Sequence, residues 1–600
     1  MTLNGWIQIA AFFLVLLVLV KPLGLYMARV YLGHPHPLLT TLGPLERVLY
    51  RLCGIHPDCE MEWTTYAFAI LLFSGIGMAF VYSLQRLQAL LPLNPRHLGS
   101  VPPALAFNTA ASYVTNTNWQ AYSGEATMSH LIQMLALTSQ DFLSSAIGVA
   151  VLLALARSLA HGSVQTIGNF WVDLVRTVLY VLLPLAFVSS LVLVSQGAVQ
   201  TLDGWKNEIF LQSMPVAHDD DHARGGPVSE GEQPGEGQTS TQKAIPVGPV
   251  ATQVIARDLG TSGGGFFNAN SAHPFESPTP LSDFLLLLLQ TMIAAALTYT
   301  YGRIVGDTRQ GWMLLAVMLV VLAMFVGIAY RAESVGNAAF APLGADLSAM
   351  DQQPGGHMEG KEVRFGIART ALVAAATTAT STGAANGMHD SLTPIGGMVT
   401  LVLMQLGEVI LGGVGSGLTG MLVLVILAAF IGGLMIGRTP EYLGKKLEPF
   451  DIKMVALAIL TMPVVVLLFT ALALATDVGR ESIFNQGPHG LSEVLYAYTS
   501  MANNNGSTFG GLNANTLFYN VTGALAMLVG RLWIVIPTLA LAGSLARKRM
   551  VHVGEGTLPT HTPLFAFWLM IVTFALGAMT FLPALALGPI VEQLMMSGRP

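Results

Sequence analysis

Long apolar segments alternate with short polar ones along almost the whole chain. The hydrocarbon core of a membrane is about 30 Å thick, so a helix that crosses it needs about 20 apolar residues. The pattern therefore predicts an all-α polytopic membrane protein with about ten spanning helices. The predicted spans lie near residues 4–25, 64–86, 130–157, 170–197, 281–303, 312–333, 396–436, 452–476, 516–546 and 563–590.

The first apolar segment is predicted to be a retained span with its N-terminus on the extracytoplasmic side. No basic residue precedes it, whereas Lys21 and Arg29 follow it. A secretory signal peptide would have basic residues in front and a small-residue cleavage pattern behind. Basic residues favour the cytoplasmic side of the membrane, which sets the predicted orientation.

Four polar segments that interrupt the apolar pattern share one composition. They are rich in Thr, Ser, Asn and Gly, and none contains Asp, Glu, Lys or Arg. Such recurrence predicts four repeats, each made of a span, a short re-entrant segment, a polar loop and a second span. The segments read TNTNWQ (115–120), GTSGGGFFN (260–268), TATSTGAANG (378–387) and MANNNGSTFGG (501–511).

The spacing of these segments supports the repeat. Between Asn118, Gly263, Gly383 and Gly506, taken as comparable points, the intervals are 145, 120 and 123 residues. The longest interval contains an acidic, Pro/Gly/Ser-rich insert at 211–248, which is predicted to be a disordered loop outside the membrane. Without the 38 residues of the insert, that interval falls to 107.

Four such loops around one axis would form a pore. Non-helical backbone at membrane depth is tolerated only where it is buried in protein or lines water. A ring of backbone carbonyls can replace the hydration shell of a monovalent cation, and glycine supplies positive φ angles at low steric cost. Hard divalent ions usually recruit carboxylates, which these loops lack. The alternative is that all four are ordinary polar loops.

The composition is also typical of a membrane protein, but it excludes few classes of function. The 600 residues are 53% hydrophobic and 10% charged, against about 25% charged in soluble domains. The net charge of −6 gives no reason to expect nucleic-acid binding. The two cysteines, Cys53 and Cys59, are too few for a zinc site and are predicted to be reduced thiols.

One apolar run is too long for a single straight span. Residues 395–437 would make about 64 Å of continuous helix, about twice the hydrocarbon thickness. Within the run, Gly415, Ser416 and Gly417 begin a glycine-rich stretch that fits G-x-G-x-x-G but lacks the βαβ context of a dinucleotide site. Either two spans pack here or one span is broken, as in transporters; the glycines alone could also be helix-packing contacts.

Glu408 and Arg531 are charged residues that lie within apolar spans. A charge at the bilayer centre costs at least about 2.5–3.5 kcal/mol, so each is expected to face protein or water. For Glu408 we expect a role in drawing a cation inward, and for Arg531 a fixed positive charge that weakens or redirects ion binding. The alternative is structural pairing with each other, or with Asp173 or Arg176.

A protease hypothesis competes for the second polar segment. GTSGG fits G-x-S-x-G, with Ser262 in the nucleophile position. A nucleophilic serine needs a general base within hydrogen-bond reach. The histidines available, His273 and His389, lie in polar loops and not on a spanning helix, so the sequence disfavours this hypothesis.

The motifs together resemble one family. SYVTNTNWQ, GTSGGGFFNANSAHPFE, STGAANGMHDSLTP, GEVILGGVGSGLTGML, GRTPEYLGKK and NNNGSTFGGLNAN are similar to signatures of the family of the potassium-transporting ATPase A subunit (KdpA). The resemblance covers nearly the whole chain, and the long acidic insert is the main departure. It implies ten spans and a pore of four span–pore–span repeats, akin to potassium channels and the Trk/HKT transporters.

The resemblance also implies roles for individual residues. The K⁺ filter would comprise Thr115, Asn116, Thr117, Asn118, Thr261, Ser262, Gly263, Ser381, Thr382, Gly383, Asn504, Asn505 and Gly506. Affinity, gating or tunnel positions would be Gln120, Gly264, Glu408, Gly415, Ser416, Gly417, Arg438 and Arg531.

The corresponding division of the chain has six parts. They are an N-terminal span and cytoplasmic loop (1–62), pore repeat 1 (63–160), pore repeat 2 with the insert (161–305), pore repeat 3 with a broken second span (306–440), pore repeat 4 (441–550) and a C-terminal span (551–600).

The sequence contains no motif through which this chain could supply the energy for uphill transport. No G-x-x-x-x-G-K-[ST] loop, no Asp-Lys-Thr-Gly-Thr motif and no soluble domain large enough for a nucleotide is present. The chain is therefore expected to bind no ATP and to be no enzyme by itself. The resemblance implies K⁺ as transported ion and the bacterial inner membrane as location. Its implied partners are membrane lipid, a P-type ATPase B subunit, a single-span C subunit, plus a small F subunit. The alternative is an autonomous Trk/HKT-like transporter.

Overall fold

Ten long apolar helices dominate the fold. The computed structural model describes residues 1–215, 239–337, 340, 343–344, 346–348, 350, 355–550 and 558–597, and in these ranges ten helices are long and apolar enough to cross a membrane. The all-α polytopic prediction is confirmed. The helix that spans Ile132–Ala160 is 83% buried over its most apolar stretch, against 28% for Leu3–Tyr31. The former therefore lies inside the bundle and the latter at its periphery.

The N-terminal part and the first repeat contain six α-helices. Cys53 and Cys59 lie just before the repeat, and both are free and exposed. The helices are α1 (Leu3–Tyr31), α2 (Leu39–Cys53), α3 (Trp63–Leu87), α4 (Pro103–Val114), α5 (Gly124–Thr127) and α6 (Ser139–Ala160), the last preceded by a π-helical stretch, Ile132–Thr138.

The second repeat contains the insert. Its elements are α7 (Phe170–Arg176), a π-helical stretch (Thr177–Leu182), α8 (Leu183–Ser195), β1 (Trp205–Pro215), β2 (Thr239–Pro246), α9 (Val250–Gly260) and α10 (Pro280–Ile304). Strands β1 and β2 pair antiparallel. The prediction of disorder is therefore wrong for residues 211–215 and 239–246. It was based on a composition poor in apolar residues, but antiparallel pairing joins main-chain groups and does not need apolar side chains. Residues 216–238 of the predicted insert lie outside the described ranges.

The third and fourth repeats follow the same plan. The third has α11 (Thr308–Val335), α12 (Gly366–Ala379), α13 (Pro394–Gln405) and α14 (Ser416–Ile436). A tight hairpin, β3 (Glu441–Tyr442) with β4 (Lys445–Lys446), leads to α15 (Pro449–Ala475), α16 (Asp477–Arg480), α17 (Pro488–Asn503), α18 (Leu517–Arg547), α19 (Pro563–Leu585) and α20 (Val591–Met596), with a π-helical stretch at Ala586–Ile590.

One short helix in each repeat packs between two other helices of that repeat. Helix α4 contacts α3 and α6, α9 contacts α8 and α10, α12 contacts α11 and α13, and α17 contacts α15 and α18. Two of the helices that follow the short ones start at a Thr-Pro pair. The Thr279 and Thr393 side chains accept from the backbone N–H groups of Ser282 (3.1 Å) and Gly396 (3.2 Å), and proline suits the first helical position.

Candidate ion-binding site

The four short helices all end next to a polar loop. The C-terminal end of a helix carries partial negative charge, so four ends that meet at one place favour a cation between them. The helices end at Val114 (α4), Gly260 (α9), Ala379 (α12) and Asn503 (α17).

The polar loops share a backbone conformation at a matched position. We define loop 1 (115–118), loop 2 (261–264), loop 3 (380–383) and loop 4 (504–506). Asn116, Thr261, Ser381 and Asn504 are left-handed, with φ of 65°, 49°, 57° and 60°. This conformation is uncommon for residues other than glycine. Its recurrence at intervals of 145, 120 and 123 residues shows that the loops are equivalent in geometry as well as in composition.

The loops contact one another through their backbones. The Gly263 N–H donates to the Thr117 carbonyl at 3.2 Å, and a Cβ on Gly263 would lie 2.7 Å from the Gly506 Cα. A Cβ on Gly506 would overlap the Thr117 carbonyl oxygen, and one on Gly383 would overlap the Asn505 carbonyl oxygen. Glycine is therefore required where the loops meet.

The reason for glycine differs between positions. Gly264, Gly383 and Gly506 have positive φ, at 69°, 66° and 99°. Gly263 does not, so the positive φ angle that glycine supplies at low cost is not the reason for glycine there. Its requirement is the close approach of loops 1 and 4, which leaves no space for a side chain.

The Asn116 side chain ties loop 1 to loop 2. Its Nδ2 donates to the carbonyls of Gly260 (3.1 Å) and Thr261 (3.0 Å). Its Oδ1 accepts from the hydroxyls of Ser144 (2.8 Å) and Ser262 (3.1 Å). The two bonds from Nδ2 thus fix loop 1 against the backbone where loop 2 begins, and the two bonds to Oδ1 join Asn116 to side chains of α6 and loop 2.

Equivalent bonds tie the remaining loops. The Ser381 hydroxyl donates to the Asn504 carbonyl at 2.9 Å, and Asn504 Nδ2 donates to Thr117 Oγ1 at 2.9 Å. Asn505 Nδ2 donates to the Thr377 carbonyl at 3.1 Å. The thirteen residues assigned to the filter from the sequence lie together in these four buried loops, and every one is neutral.

Loops 1 and 3 contain an internal threonine pair that reveals a further residue. Thr115 and Thr117 hydroxyls lie 2.7 Å apart in loop 1, and Thr380 and Thr382 hydroxyls lie 2.7 Å apart in loop 3. Thr380 is the counterpart of Thr115, but the sequence analysis did not assign it. The repeated Thr-x-Thr spacing is the signal that could have identified it.

Gln120 holds the far end of loop 2. Its Nε2 donates to the Gly265 carbonyl at 3.0 Å, and its Oε1 accepts from the Gly265 N–H at 3.2 Å. A Cβ on Gly264 would lie 2.9 Å from the Gln120 side-chain amide carbon. Gln120, which follows loop 1, therefore fixes the backbone at the end of loop 2. It lies next to Gly264, which was predicted as an affinity, gating or tunnel position together with it.

Charged residues stand behind loops 1 and 2, and the sequence analysis missed them. Asn118 Nδ2 donates to the buried Asp141 carboxylate. Arg257, 1% exposed, donates from Nη1 to the Gly264 carbonyl (3.0 Å) and to Glu276 (2.8 Å). Arg257 lies on a short helix and Glu276 in a loop, outside the predicted spans, whereas Asp141 lies inside the span predicted at 130–157 and was overlooked there. The available signal was Arg257 just before GTSGGGFFNANSAHPFE and Glu276 at its end.

A vestibule of about 370 Å³ lies at the C-terminal ends of loops 2, 3 and 4. Its charged lining is balanced, since Lys361 Nζ lies 2.7 Å from Glu333 and both side chains are fully buried. Burial, assisted by Lys361, lowers the pKa of His389 to about 4. Its lining includes Gln120, Gly264, Gly383, Gly506, Lys361 and His389.

The long apolar run of the third repeat is interrupted near the ends of the polar loops that lie opposite the vestibule. Helix α13 ends at Gln405 and α14 begins at Ser416, so the long apolar run is one interrupted span and not two packed ones. We call residues 406–415 the gate loop. It contacts the polar loops directly, because the Val414 N–H donates to Thr261 Oγ1 at 2.8 Å and the Gly412 N–H to the Ala379 carbonyl at 3.0 Å.

Two predicted glycines serve the turn of the gate loop. Gly415 has φ 82° and abuts Gly148 of α6. A Cβ on Gly417 would overlap Gly412, so these glycines allow the gate loop to fold back on α14. Ser416, between them, is the first residue of α14.

Glu408 is the only carboxylate of the gate loop, all of which the structure describes. It is 4% exposed, with a left-handed backbone at φ 50°. Its carboxyl group lies close to the side chains of Ser381 and Asn505, and its Oε1 has no hydrogen-bond partner among the described residues. An acidic side chain thus lies directly beside loops 3 and 4.

A second cavity, of about 150 Å³, lies on the gate-loop side. Asn503, the last residue of α17, and Asn504, the first of loop 4, line it on one side, and Gly407 and Ser416 line it on another. Residues of α15 and α19 form its far wall. The polar loops therefore separate two cavities, the vestibule and this gate-side cavity.

Arg531 lies beside the gate loop. Its Nη2 donates to the Ser144 carbonyl at 3.2 Å and lies 3.1 Å from where a Cβ on Gly148 would be. Pairing with Asp173 or Arg176 is excluded, because Asp173 pairs with Arg157 at 2.7 Å and Arg176 with Glu46 at 3.1 Å. Arg531 and Glu408 interact through space, and no direct ion pair joins them in the described part of the chain.

The structure does not bring Arg438 to this site. It is exposed and follows the end of α14, the helix whose start carries the gate loop. There it lines a separate cavity of about 60 Å³ with Thr439 and Glu441. Of the residues predicted for gating or affinity, Arg438 alone lies far from the polar loops.

The geometry at Ser262 argues against a protease. Its hydroxyl is fully buried and donates to Asn116 Oδ1. His273 stacks on Phe267 at 3.7 Å between ring centroids, and His389 contacts the Tyr496 hydroxyl at 3.0 Å. Neither imidazole is placed to take a proton from Ser262.

Comparisons with known proteins cover nearly the whole chain and agree on one family. The model of the family described as potassium-transporting ATPase A subunit matches residues 10–594. Curated relatives named potassium-transporting ATPase potassium-binding subunit include one from Herpetosiphon aurantiacus, 55% identical over 99% of both chains, and one from Sorangium cellulosum, 53% identical over 100% of both.

A solved structure, the potassium transporter TrkH from Vibrio parahaemolyticus, aligns with 89% of this chain and 97% of its own, at a TM-score of 0.49 and 14% identity. The family match and the curated relatives extend over nearly all of the chain. The chain therefore belongs to the family of the potassium-transporting ATPase A subunit.

Proposed function

We propose that this chain is the potassium-binding and translocating subunit of an ATP-driven potassium uptake complex, and that loops 1 to 4 are its selectivity filter. The observation that carries the proposal is the meeting of four buried neutral loops, each with a left-handed residue at the same register. The names of the curated relatives supply potassium as the ion and an ATPase as the assembly.

The filter would bind a cation through backbone carbonyls. Many loop side chains are occupied in bonds to neighbouring loops, as at Asn116 and Ser381. The glycines bring the carbonyls of Thr117 and Asn505 close to the backbones of adjacent loops. Neutral oxygens and four helix C-termini stabilise a weakly hydrated monovalent cation without the carboxylates that divalent ions recruit.

The path after the filter would run past the gate loop. Glu408 attracts the cation from loops 3 and 4, while Arg531 beside the gate loop discourages it from remaining there. The gate-side cavity then leads towards α15 and α19. In this proposal an intramembrane tunnel from that cavity delivers K⁺ to the P-type ATPase subunit.

The remaining parts of the proposal concern the assembly. The chain contains no phosphorylation motif or phosphate-binding loop, so a P-type B subunit would hydrolyse ATP. A single-span C subunit would join the assembly, as would a small F subunit. The complex would lie in the bacterial inner membrane, in contact with lipid. The N-terminus and the vestibule would both face outwards.

ATP hydrolysis by the purified complex tests the proposal. The complex is captured through a tag on this chain and titrated with K⁺ and then with Na⁺. We expect stimulation by low K⁺ but not by Na⁺, and loss of that discrimination in Gly263→Asp, which places a carboxylate where loops 1 and 4 leave no space. Gly99→Asp is the matched control, because a Cβ at Gly99 meets nothing within 4 Å.

Two results would contradict the proposal. Unchanged discrimination in Gly263→Asp would remove the filter assignment. Absence of a co-purifying ATPase, with K⁺ flux into liposomes that contain this chain alone, would favour the autonomous transporter instead.

A further inference from the structure

A cluster of ligating side chains lies outside the polar loops. Asp390 follows loop 3, His489 and Glu493 lie near the start of α17, and Glu592 belongs to α20. One ligand atom from each of Asp390, His489 and Glu493 lies within 4.8 Å of the others. His489 Nε2 is 3.0 Å from Asp390 Oδ1 and 4.0 Å from Glu493 Oε1.

These distances suit a tetrahedral metal. Zinc binds histidine nitrogen and carboxylate oxygen at about 2.0–2.2 Å, which places neighbouring ligand atoms about 3.3 Å apart. The two measured separations lie on either side of that value. Small side-chain rotations of Asp390 and Glu493 would therefore bring both carboxylates to a metal on His489 Nε2.

The Glu493 carboxylate independently points to a cation. Its side chain is fully buried, and Oε1 accepts from Asn485 Nδ2 at 2.5 Å. Its Oε2 has no hydrogen-bond partner in the described ranges. A buried carboxylate oxygen without a partner is costly, and a divalent cation would satisfy it.

The surroundings orient the histidine for this purpose. His489 Nδ1 lies 2.8 Å from Glu592 Oε1, so Nε2 is presented to Asp390 and Glu493. Metal-bound histidines usually donate their other N–H to a carboxylate in this manner. The Phe509 ring also lies nearly parallel to the imidazole, with 5.9 Å between centroids.

We infer that Asp390, His489 and Glu493 form a binding site for a first-row divalent cation of the zinc class, with Glu592 as a positioning residue. One imidazole and two carboxylates suit zinc among the ions common in proteins. The site would join the segment after loop 3, α17 and α20. It lies next to the vestibule wall, which includes His389 and Thr508, and it does not depend on the proposed potassium function.

Zinc stoichiometry in the intact complex tests the inference. The parent carries His218→Gln and His222→Gln, because the sequence HDDDH at 218–222 is a competing zinc ligand set, and a histidine-free tag is used. After chelation, the complex is equilibrated with a series of buffered Zn²⁺ concentrations and analysed by elemental analysis and zinc X-ray absorption. We expect one zinc per chain, bound by both nitrogen and oxygen.

The variants distinguish this site from adventitious binding. His489→Gln and Asp390→Asn should remove the zinc, Glu592→Gln should weaken its affinity about 10- to 100-fold, and the control His34→Gln should retain it. No bound zinc in the parent, or the same affinity in His489→Gln, would overturn the inference. If His489→Gln does not yield an assembled complex, unchanged affinity in the peripheral Glu592→Gln would overturn it equally.

Discussion

Arg257 holds the backbone of loop 2 from behind, because its Nη1 donates to the Gly264 carbonyl at 3.0 Å. The guanidinium is itself fixed by Asp258 at 3.2 Å and Glu276 at 2.8 Å, and all three side chains are buried. A buried charged group therefore fixes the Gly264 carbonyl at the vestibule end of loop 2.

We predict that Arg257→Lys raises the half-saturating K⁺ concentration about tenfold or more. Lysine cannot reproduce the planar set of donors that serves Gly264, Asp258 and Glu276 together. A hydrogen bond to a charged group contributes about 1.5–3 kcal/mol, and 1.4 kcal/mol corresponds to about a tenfold change. K⁺-stimulated ATP hydrolysis by the purified complex measures the effect.

Arg157→Lys is the matched control for this prediction. Arg157 makes two hydrogen bonds of 2.7 Å to the buried Asp173. In the part of the chain that the structure describes, no hydrogen bond or ion pair joins Arg157 to the polar loops. It should lower thermal stability and leave the half-saturating K⁺ concentration unchanged. Equal K⁺ dependence in both variants would show that Arg257 serves stability alone.

We predict that Gly506→Ala abolishes K⁺ stimulation. Gly506 has φ 99°, and a Cβ there would overlap the Thr117 carbonyl oxygen. The control Gly437→Ala shares a positive φ of 72°, but its Cβ would meet nothing within 4 Å. Gly437→Ala should therefore cost only the strain of the left-handed conformation, about 1–2 kcal/mol, measured as a shift in thermal unfolding. If both variants retain K⁺ stimulation, close approach at Gly506 is not needed for ion binding.

The sequence predicted what depends on composition and periodicity. Apolar length predicted the spans and showed that the 43 residues at 395–437 cannot form one straight crossing, but it left open whether two packed spans or one broken span lay there. The neutral polar clusters gave the register that recurs at Asn116, Thr261, Ser381 and Asn504. These features are local along the chain, so one sequence reveals them.

Contacts between segments that lie far apart along the chain could not be predicted from the sequence. Arg257 and Glu276 meet behind loop 2, and Arg176 pairs with Glu46 of α2 across 130 residues. Likewise, no spacing indicated that Gly263 is required by the approach of Gly506 rather than by its own φ. Such pairings depend on how helices pack, which periodicity does not specify.

We predict that Glu408→Gln lowers K⁺ transport more than K⁺ selectivity. The carboxylate lies beside Ser381 and Asn505 and its Oε1 has no hydrogen-bond partner in the described part of the protein, so its loss removes attraction below the loops while their carbonyls stay in place. Potassium uptake into liposomes and competition of Na⁺ for K⁺-stimulated hydrolysis measure the two properties. Glu359→Gln, whose carboxylate is 51% exposed, is the control. A Glu408→Gln complex with unchanged coupling and transport affinity would remove Glu408 from the path.

We predict that neither His389, which lines the vestibule, nor the nearby His273 changes the half-saturating K⁺ concentration between pH 6 and 8. Burial lowers the pKa of His273 and of His389 to about 4, assisted by Arg364 and Lys361, so both imidazoles are neutral throughout that range. Protonation near pH 4 would add positive charge beside the polar loops and weaken cation binding. Rb⁺ binding to the purified complex at successive pH values measures this, with His389→Gln as comparison. A change in affinity with a midpoint near pH 6.5 that disappears in His389→Gln would show that this histidine is hydrated and accessible, and that the vestibule is wider than its geometry indicates.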